Sequence, residues 1–117
     1  MRSRKINSDK KASLIAKISK DHKAQDVVVL DLRGLSSVAD YFVICGGSSS
    51  KTVQSIADEC GKAVKDSGAV VHHIEGYREG LWVLLDCGDV VLHAFHYDSR
   101  TFYSLEDLWA DAPRLTV

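Results

Sequence analysis

The sequence predicts an α/β protein: a mixed five-stranded sheet with helices packed on it. Three observations carry that prediction. Short apolar runs rich in β-branched and aromatic residues recur along the chain, ended by glycine or aspartate. One longer stretch places its apolar residues at helical steps instead. The signals come in the order helix, strand, strand, helix, strand, strand, strand, helix, and that order gives a mixed sheet.

Each element has its own grounds. Residues 1–7 read as loose. A helix follows, with Ser8 or Asp9 as N-cap and an apolar stripe at Leu14, Ile15 and Ile18. Val27 to Leu32 is a β-branched strand ended by Arg33-Gly34. Tyr41 to Cys45 is a second strand, ended by Gly46-Gly47. Neither run alternates, so both are expected as central strands with two covered faces. Ser48-Ser49-Ser50 offers N-caps for the strongest helix, whose apolar positions are Val53, Ile56, Ala57, Cys60 and Val64. Gly68 is its expected stop. Ala69 to Ile74 reads as the third strand, which makes the preceding helix a crossover connection. Glu75 to Gly80 is a polar turn bracketed by glycines. Leu81 to Asp86 and Val90 to Phe95 form a hairpin around Asp86-Cys87-Gly88-Asp89. Ser104 and Asp107 resemble a capping box for a short terminal helix carrying Leu105, Leu108 and Trp109, stopped by Pro113.

Composition narrows the class. The 117 residues suffice for one domain with one core. Apolar residues make up 45% and charged residues 26%, the balance of a globular domain. No apolar run reaches the roughly 20 residues of a membrane helix, and the basic start lacks the apolar stretch of a secretory signal. Cys45, Cys60 and Cys87 are odd in number and form no C-x-x-C pair, as expected of reduced thiols. The expected location is therefore cytoplasmic, or the equivalent compartment of an organelle if a transit peptide has been lost. The net charge of −1 hides a division. Residues 1–23 carry eight basic and two acidic side chains, and residues 24–117 carry seven basic and fourteen acidic ones. We therefore expect a basic N-terminal segment and helix over 1–23, and one α/β domain over 24–117. The acidic body favours a basic protein surface, whereas the basic head could touch phosphate; plain solvation explains either equally well.

Few residues point to chemistry. Gly46-Gly47-Ser48-Ser49 joins a strand to a helix N-terminus, but no Lys-Ser/Thr stands at the spacing of a phosphate-binding loop and no G-x-G-x-x-G is present, so it reads better as a tight turn with N-caps. Asp86 and Asp89 could share a divalent cation. Short turns select aspartate for local hydrogen bonds, and no third acid stands at a useful spacing. His72 and His73 point to opposite faces of a strand, as do His93 and His96, and nothing completes a zinc pattern, so structural or surface histidines are the better account. No catalytic residue, metal site or cofactor is expected.

Trp82 differs. If Leu81, Val83 and Leu85 face the helices, then Trp82, Leu84 and Asp86 face away from them. Helices in a domain this small need not cover both sheet faces. A bare face carrying Trp82 and Leu84 would be a partner surface and would allow a homodimer. The competing reading buries Trp82 as core beneath the terminal segment.

Four stretches resemble the ribosomal silencing factor family, also called Iojap-like. They are Val27-Val28-Val29-Leu30-Asp31-Leu32-Arg33-Gly34 continuing through Ala39-Asp40-Tyr41-Phe42-Val43-Ile44; Glu75-Gly76-Tyr77-Arg78-Glu79-Gly80-Leu81-Trp82 through Asp86; Gly88-Asp89-Val90-Val91-Leu92-His93-Ala94-Phe95; and Phe102-Tyr103-Ser104-Leu105-Glu106-Asp107-Leu108-Trp109 through Pro113. Together they span about residues 24–114, in the family's order and spacing. Residues 1–23 match only as a helix. The resemblance implies a nucleotidyltransferase-like fold without the catalytic set. It implies binding to the large ribosomal subunit through ribosomal protein fourteen, at the face where the small subunit docks. The outcome is a block on subunit joining and repression of translation when nutrients are scarce. Carried over by motif, the partner-binding residues are Trp82 as anchor, then Glu75, Tyr77, Arg78, Tyr103, Leu108 and Trp109. Contact of residues 1–23 with ribosomal RNA stays open. Two alternatives are an assembly factor for the large subunit and a magnesium-dependent nucleotidyltransferase-like enzyme using Asp86 and Asp89.

Overall fold

The computed structural model describes residues 6–96 and 112–115. The stretch with the strongest helical spacing forms α2, Ser50–Asp66. The Oγ of Ser49 caps it, accepting the Thr52 backbone N–H at 3.1 Å. Val53, Ile56, Ala57, Cys60 and Val64 are all buried, as the spacing predicts. Ser67 is the C-cap, and Gly68, at φ +92°, takes the left-handed conformation that ends the helix. The earlier helix, α1, spans Ser8–Asp21 and packs on α2. Its cap lies one residue before the predicted pair: Asn7 holds the N-cap position and its side chain makes no cap hydrogen bond. Asp9 instead lies in the first turn, where its charge complements the helix dipole. Ile15 is fully buried, but Leu14 and Ile18 are only half-buried; the inward stripe is Lys11, Ala12, Ile15, Ala16 and Ser19. Its alanines and serine let the helix lie close to its neighbours.

The strands are Gln25–Asp31 (β1), Tyr41–Gly47 (β2), His73–Glu75 (β3), Trp82–Asp86 (β4), Val90–His96 (β5) and Arg114–Leu115 (β6). They form one sheet in the order β3-β4-β5-β2-β1-β6. The β2 and β5 strands pair in parallel, and the other neighbours are antiparallel. The sheet thus has six strands among the described residues, one more than the sequence predicts. The addition is β6, whose two residues pair with Val29 and Leu30 just after the Pro113 carbonyl accepts the Asp31 N–H at 2.8 Å. So short a strand has no periodicity to read. The third strand is also shorter than expected. Its pairing begins at His73 opposite Asp86, where β4 ends; the His72 N–H still donates to the Asp86 carbonyl at 2.8 Å, and beyond it the facing residues belong to the hairpin turn. The predicted terminal helix lies outside the described residues.

Alternation along the strands divides the interior in two. Toward the helices point Val29, Tyr41, Val43, Cys45, Val83, Leu85, Val90, Leu92 and Ala94, all buried under α1 and α2. Away from the helices lie Leu30, Leu32, Ile44, Phe95 and Ala112, with Val28, Phe42 and Trp82 packed against them.

Candidate partner-docking face

The strand alternation that seals Val83 and Leu85 beneath the helices turns Trp82, Leu84 and Asp86 to the other side. Leu81, expected among the inward residues, precedes the strand and is exposed. In register, Trp82 stands opposite Phe95, Leu84 opposite His93 and Asp86 opposite Val91. The Trp82 ring stacks on Phe95, with centroids 5.1 Å apart and planes 23° from parallel. Its Nε1–H donates to Nδ1 of His93 at 3.1 Å. Phe42, on the next strand, meets the imidazole edge-on at 4.5 Å. Trp82, Phe95, His93 and Phe42 therefore form one aromatic row across three strands. Trp82 is half-buried, neither sealed nor bare.

His93 is 4% exposed. Because Nδ1 accepts a proton donor, the proton of the neutral ring sits on Nε2. That Nε2 has no hydrogen-bond partner among the described residues. Burial pushes the imidazole down to about 4. Sequence reasoning finds no zinc pattern at His93 and favours a structural or surface histidine, but does not pair it with Trp82. The signal was available: in a hairpin joined at residues 86–89, Trp82 and His93 fall on one face as diagonal cross-strand neighbours.

The glycine-bracketed turn is built differently. Gly76 (φ +75°) and Gly80 (φ +68°) both take left-handed conformations. A Cβ on Gly76 would lie 2.1 Å from the Trp82 carbonyl oxygen, and one on Gly80 would lie 2.7 Å from Cβ of Ser50. Gln54 Nε2 donates to the carbonyls of Tyr77 and Arg78 at 2.8 and 3.2 Å. The Tyr77 hydroxyl donates to Oδ2 of Asp58 at 2.9 Å, and that bond holds the phenol above its ordinary value. The turn thus leans on α2, on the helix side of the sheet edge. Glu75, opposite Leu84, shares the face of Trp82 and receives His73 Nε2 at 2.6 Å. Arg78 is exposed. The structure therefore brings Glu75 and Trp82 to one face and ties Tyr77 to the helix layer. Tyr103, Leu108 and Trp109 lie outside the described residues.

The remaining chemical candidates have structural partners. Asp86 Oδ1 accepts the Gly88 N–H at 2.8 Å, whereas Asp89 Oδ1 pairs with the buried Lys11 Nζ at 2.7 Å. The same ammonium donates to the Cys87 carbonyl, clamping α1 to the hairpin turn. Gly47 is tight against α2, since a Cβ there would meet Cγ2 of Val53 at 2.9 Å. Cys45, Cys60 and Cys87 are all buried. Burial pushes the thiols of Cys60 and Cys87 up to about 12 and about 11, which keeps both protonated and unreactive. Among the described residues, no three His, Cys, Asp or Glu side chains gather as a metal site, and no helix is long and apolar enough to cross a membrane.

The family model described as "Ribosomal silencing factor during starvation" matches residues 5–117. A Bacillus subtilis protein named ribosomal silencing factor RsfS is 52% identical over 93 residues, 80% of this chain and 79% of its own. A protein of the same name from Halalkalibacterium halodurans is 50% identical over 97 residues, 83% of each chain. A crystal structure of a Bacillus halodurans protein superposes with a TM-score of 0.83 at 41% identity, over 93% of this chain and 99% of that one.

Proposed function

Because the chain belongs to the ribosomal silencing factor family, we propose that it represses translation by occupying the large ribosomal subunit through ribosomal protein fourteen. The activity is occlusion, with no chemical step. The silencer and the small subunit compete for one surface, so the depth of silencing follows concentration over dissociation constant. An interface of about 1,200–2,000 Å² total suffices for such a complex. The protein works where ribosomes are, in the cytoplasm.

The observation that carries this reading is the half-buried Trp82 at the end of an aromatic row, on the sheet face opposite the helices. Aromatic side chains on a well-packed bed are the usual anchors of protein interfaces. Glu75 stands beside it on the same face, suited to a basic partner, and its charge mainly speeds encounter. Tyr77 and Arg78 form the rim, at the turn that leans on α2.

Sedimentation with isolated subunits tests the proposal. The protein is expected to travel with large subunits and to reduce their joining with small ones in proportion to its occupancy. Sedimentation with small subunits, or unimpaired joining at saturation, overturns it.

A further inference from the structure

Occlusion as proposed assigns His93 no role, yet its environment is specific. It is 4% exposed, and Trp82, Phe42 and Phe95 surround it. One ring nitrogen is spent on the indole N–H and the other is buried with no partner among the described residues. An unpaired buried N–H is unfavourable, and phenylalanine would fill the same space without it. What an imidazole supplies at this position, and a phenyl ring does not, is an acceptor for the Trp82 N–H. The stack on Phe95 sets the plane of the indole, and the bond to His93 sets its rotation within that plane.

We propose that His93 is a positioning residue, which holds the Trp82 indole by its N–H so that a partner meets the ring through carbon surface alone. The proposal rests on Trp82 being a contact residue for the large subunit. It narrows the chemistry of that contact. With its N–H already bonded inside the protein, what the half-buried indole presents to a partner is carbon surface. The matching partner group is an apolar side chain, not a hydrogen-bond acceptor.

Three variants test this, each checked for folding by circular dichroism. His93→Phe removes the acceptor, His93→Asn keeps one near the place of Nδ1, and Trp82→Phe keeps a ring without an N–H. Two quantities are read: the indole N–H resonance of Trp82, and the dissociation constant for isolated large subunits. His93→Phe is expected to move the resonance to that of an unbonded indole and to weaken binding about tenfold. His93→Asn is expected to keep both the resonance and binding within about threefold. In a Trp82→Phe background His93→Phe should have no further effect, because no indole remains to be held. An equal loss in both backgrounds would mean that His93 merely supports the fold, and the proposal fails. Folded His93→Phe with a displaced resonance and wild-type affinity also overturns it. If His93→Phe does not fold, His93→Asn decides: a retained resonance with binding lost tenfold or more refutes the positioning role. Trp82→Ala separates this from its premise. Wild-type affinity in Trp82→Ala defeats the docking reading itself, whereas weak Trp82→Ala beside unimpaired His93→Phe defeats only the role of His93.

Discussion

One sheet carries two unlike faces. Toward α1 and α2 its side chains are mostly aliphatic, and Val83, Leu85, Leu92 and Ala94 are shut off from solvent. Toward the other side, the same strands present Phe42, Trp82, His93 and Phe95, with one half-buried indole and one buried N–H lacking a partner among the described residues. The period-two geometry of a strand lets adjacent residues serve opposite purposes. Val83 beside Trp82, or Ala94 beside His93, differ by one residue in sequence and by a whole layer in space. The helix-covered face gains stability from dispersion and water exclusion. The aromatic face gives up some of that to fix the orientation of a ring.

The division is testable by striking each side. The largest effect is expected from Leu85→Ala on the helix side. Leu85 is 2% exposed, and truncation removes buried methyl groups and leaves a cavity. Urea unfolding should show a loss of about 3 kcal/mol, while the fraction that stays folded binds large subunits as before. Comparable weakening of binding by the folded fraction would show that the faces are not independent.

His93 gives the aromatic face its own signature in acid. Unfolded, its imidazole titrates near the ordinary 6.5; folded, burial pushes it down to about 4. Between those values the unfolded chain holds a proton that the folded one lacks. Acidification through that window therefore favours unfolding, and stability rises with pH across it. The contribution is about 3 kcal/mol lost between roughly pH 6.5 and pH 4. Unfolding curves across that range should be flatter for His93→Phe than for the wild type by about that amount. Parallel curves would place the imidazole in water rather than among the rings.

Trp82→Ala is expected to cost about 2 kcal/mol in binding to the large subunit, as hot-spot aromatics do. Its effect on folding should be smaller than that of Leu85→Ala, since Trp82 is only half-buried. Measured side by side, the two substitutions should rank in opposite order for stability and for affinity. The same order in both assays would collapse the distinction.

Much of this arrangement was legible in the residues. The steps between Val53, Ile56, Ala57, Cys60 and Val64 gave α2 and its buried face, because a helix imposes its period on whatever it buries. Strand alternation placed Trp82 and Leu84 opposite Val83 and Leu85 before any coordinates. What stayed hidden depended on distant partners or on short elements. Asn7 caps α1 without a side-chain bond, so composition carries no trace of it. The β6 strand is two residues long and exists through the edge that β1 offers. Lys11 looked like one more lysine of a basic head, and only the fold brings Asp89 to it from 78 residues away. His93 reads as a structural or surface histidine, and it is buried, but its partner follows only from which residue lies diagonally across the hairpin.

Tyr77 gives the smallest effect and the finest cut. The family resemblance groups it with Trp82, yet its hydroxyl is bonded to Asp58 on α2, and its carbonyl receives Gln54 from the same helix. A hydroxyl engaged in this way is not available to a partner on the opposite side of the sheet. Tyr77→Phe keeps the ring and removes only that oxygen, so affinity for large subunits should stay within about twofold of wild type, a near-neutral rim contact. Removing the acceptor instead, by Asp58→Ala, should be equally silent. Weakening of tenfold or more by Tyr77→Phe alone would mean that the hydroxyl leaves Asp58 on docking, and that the partner reaches around the sheet edge to the helix layer.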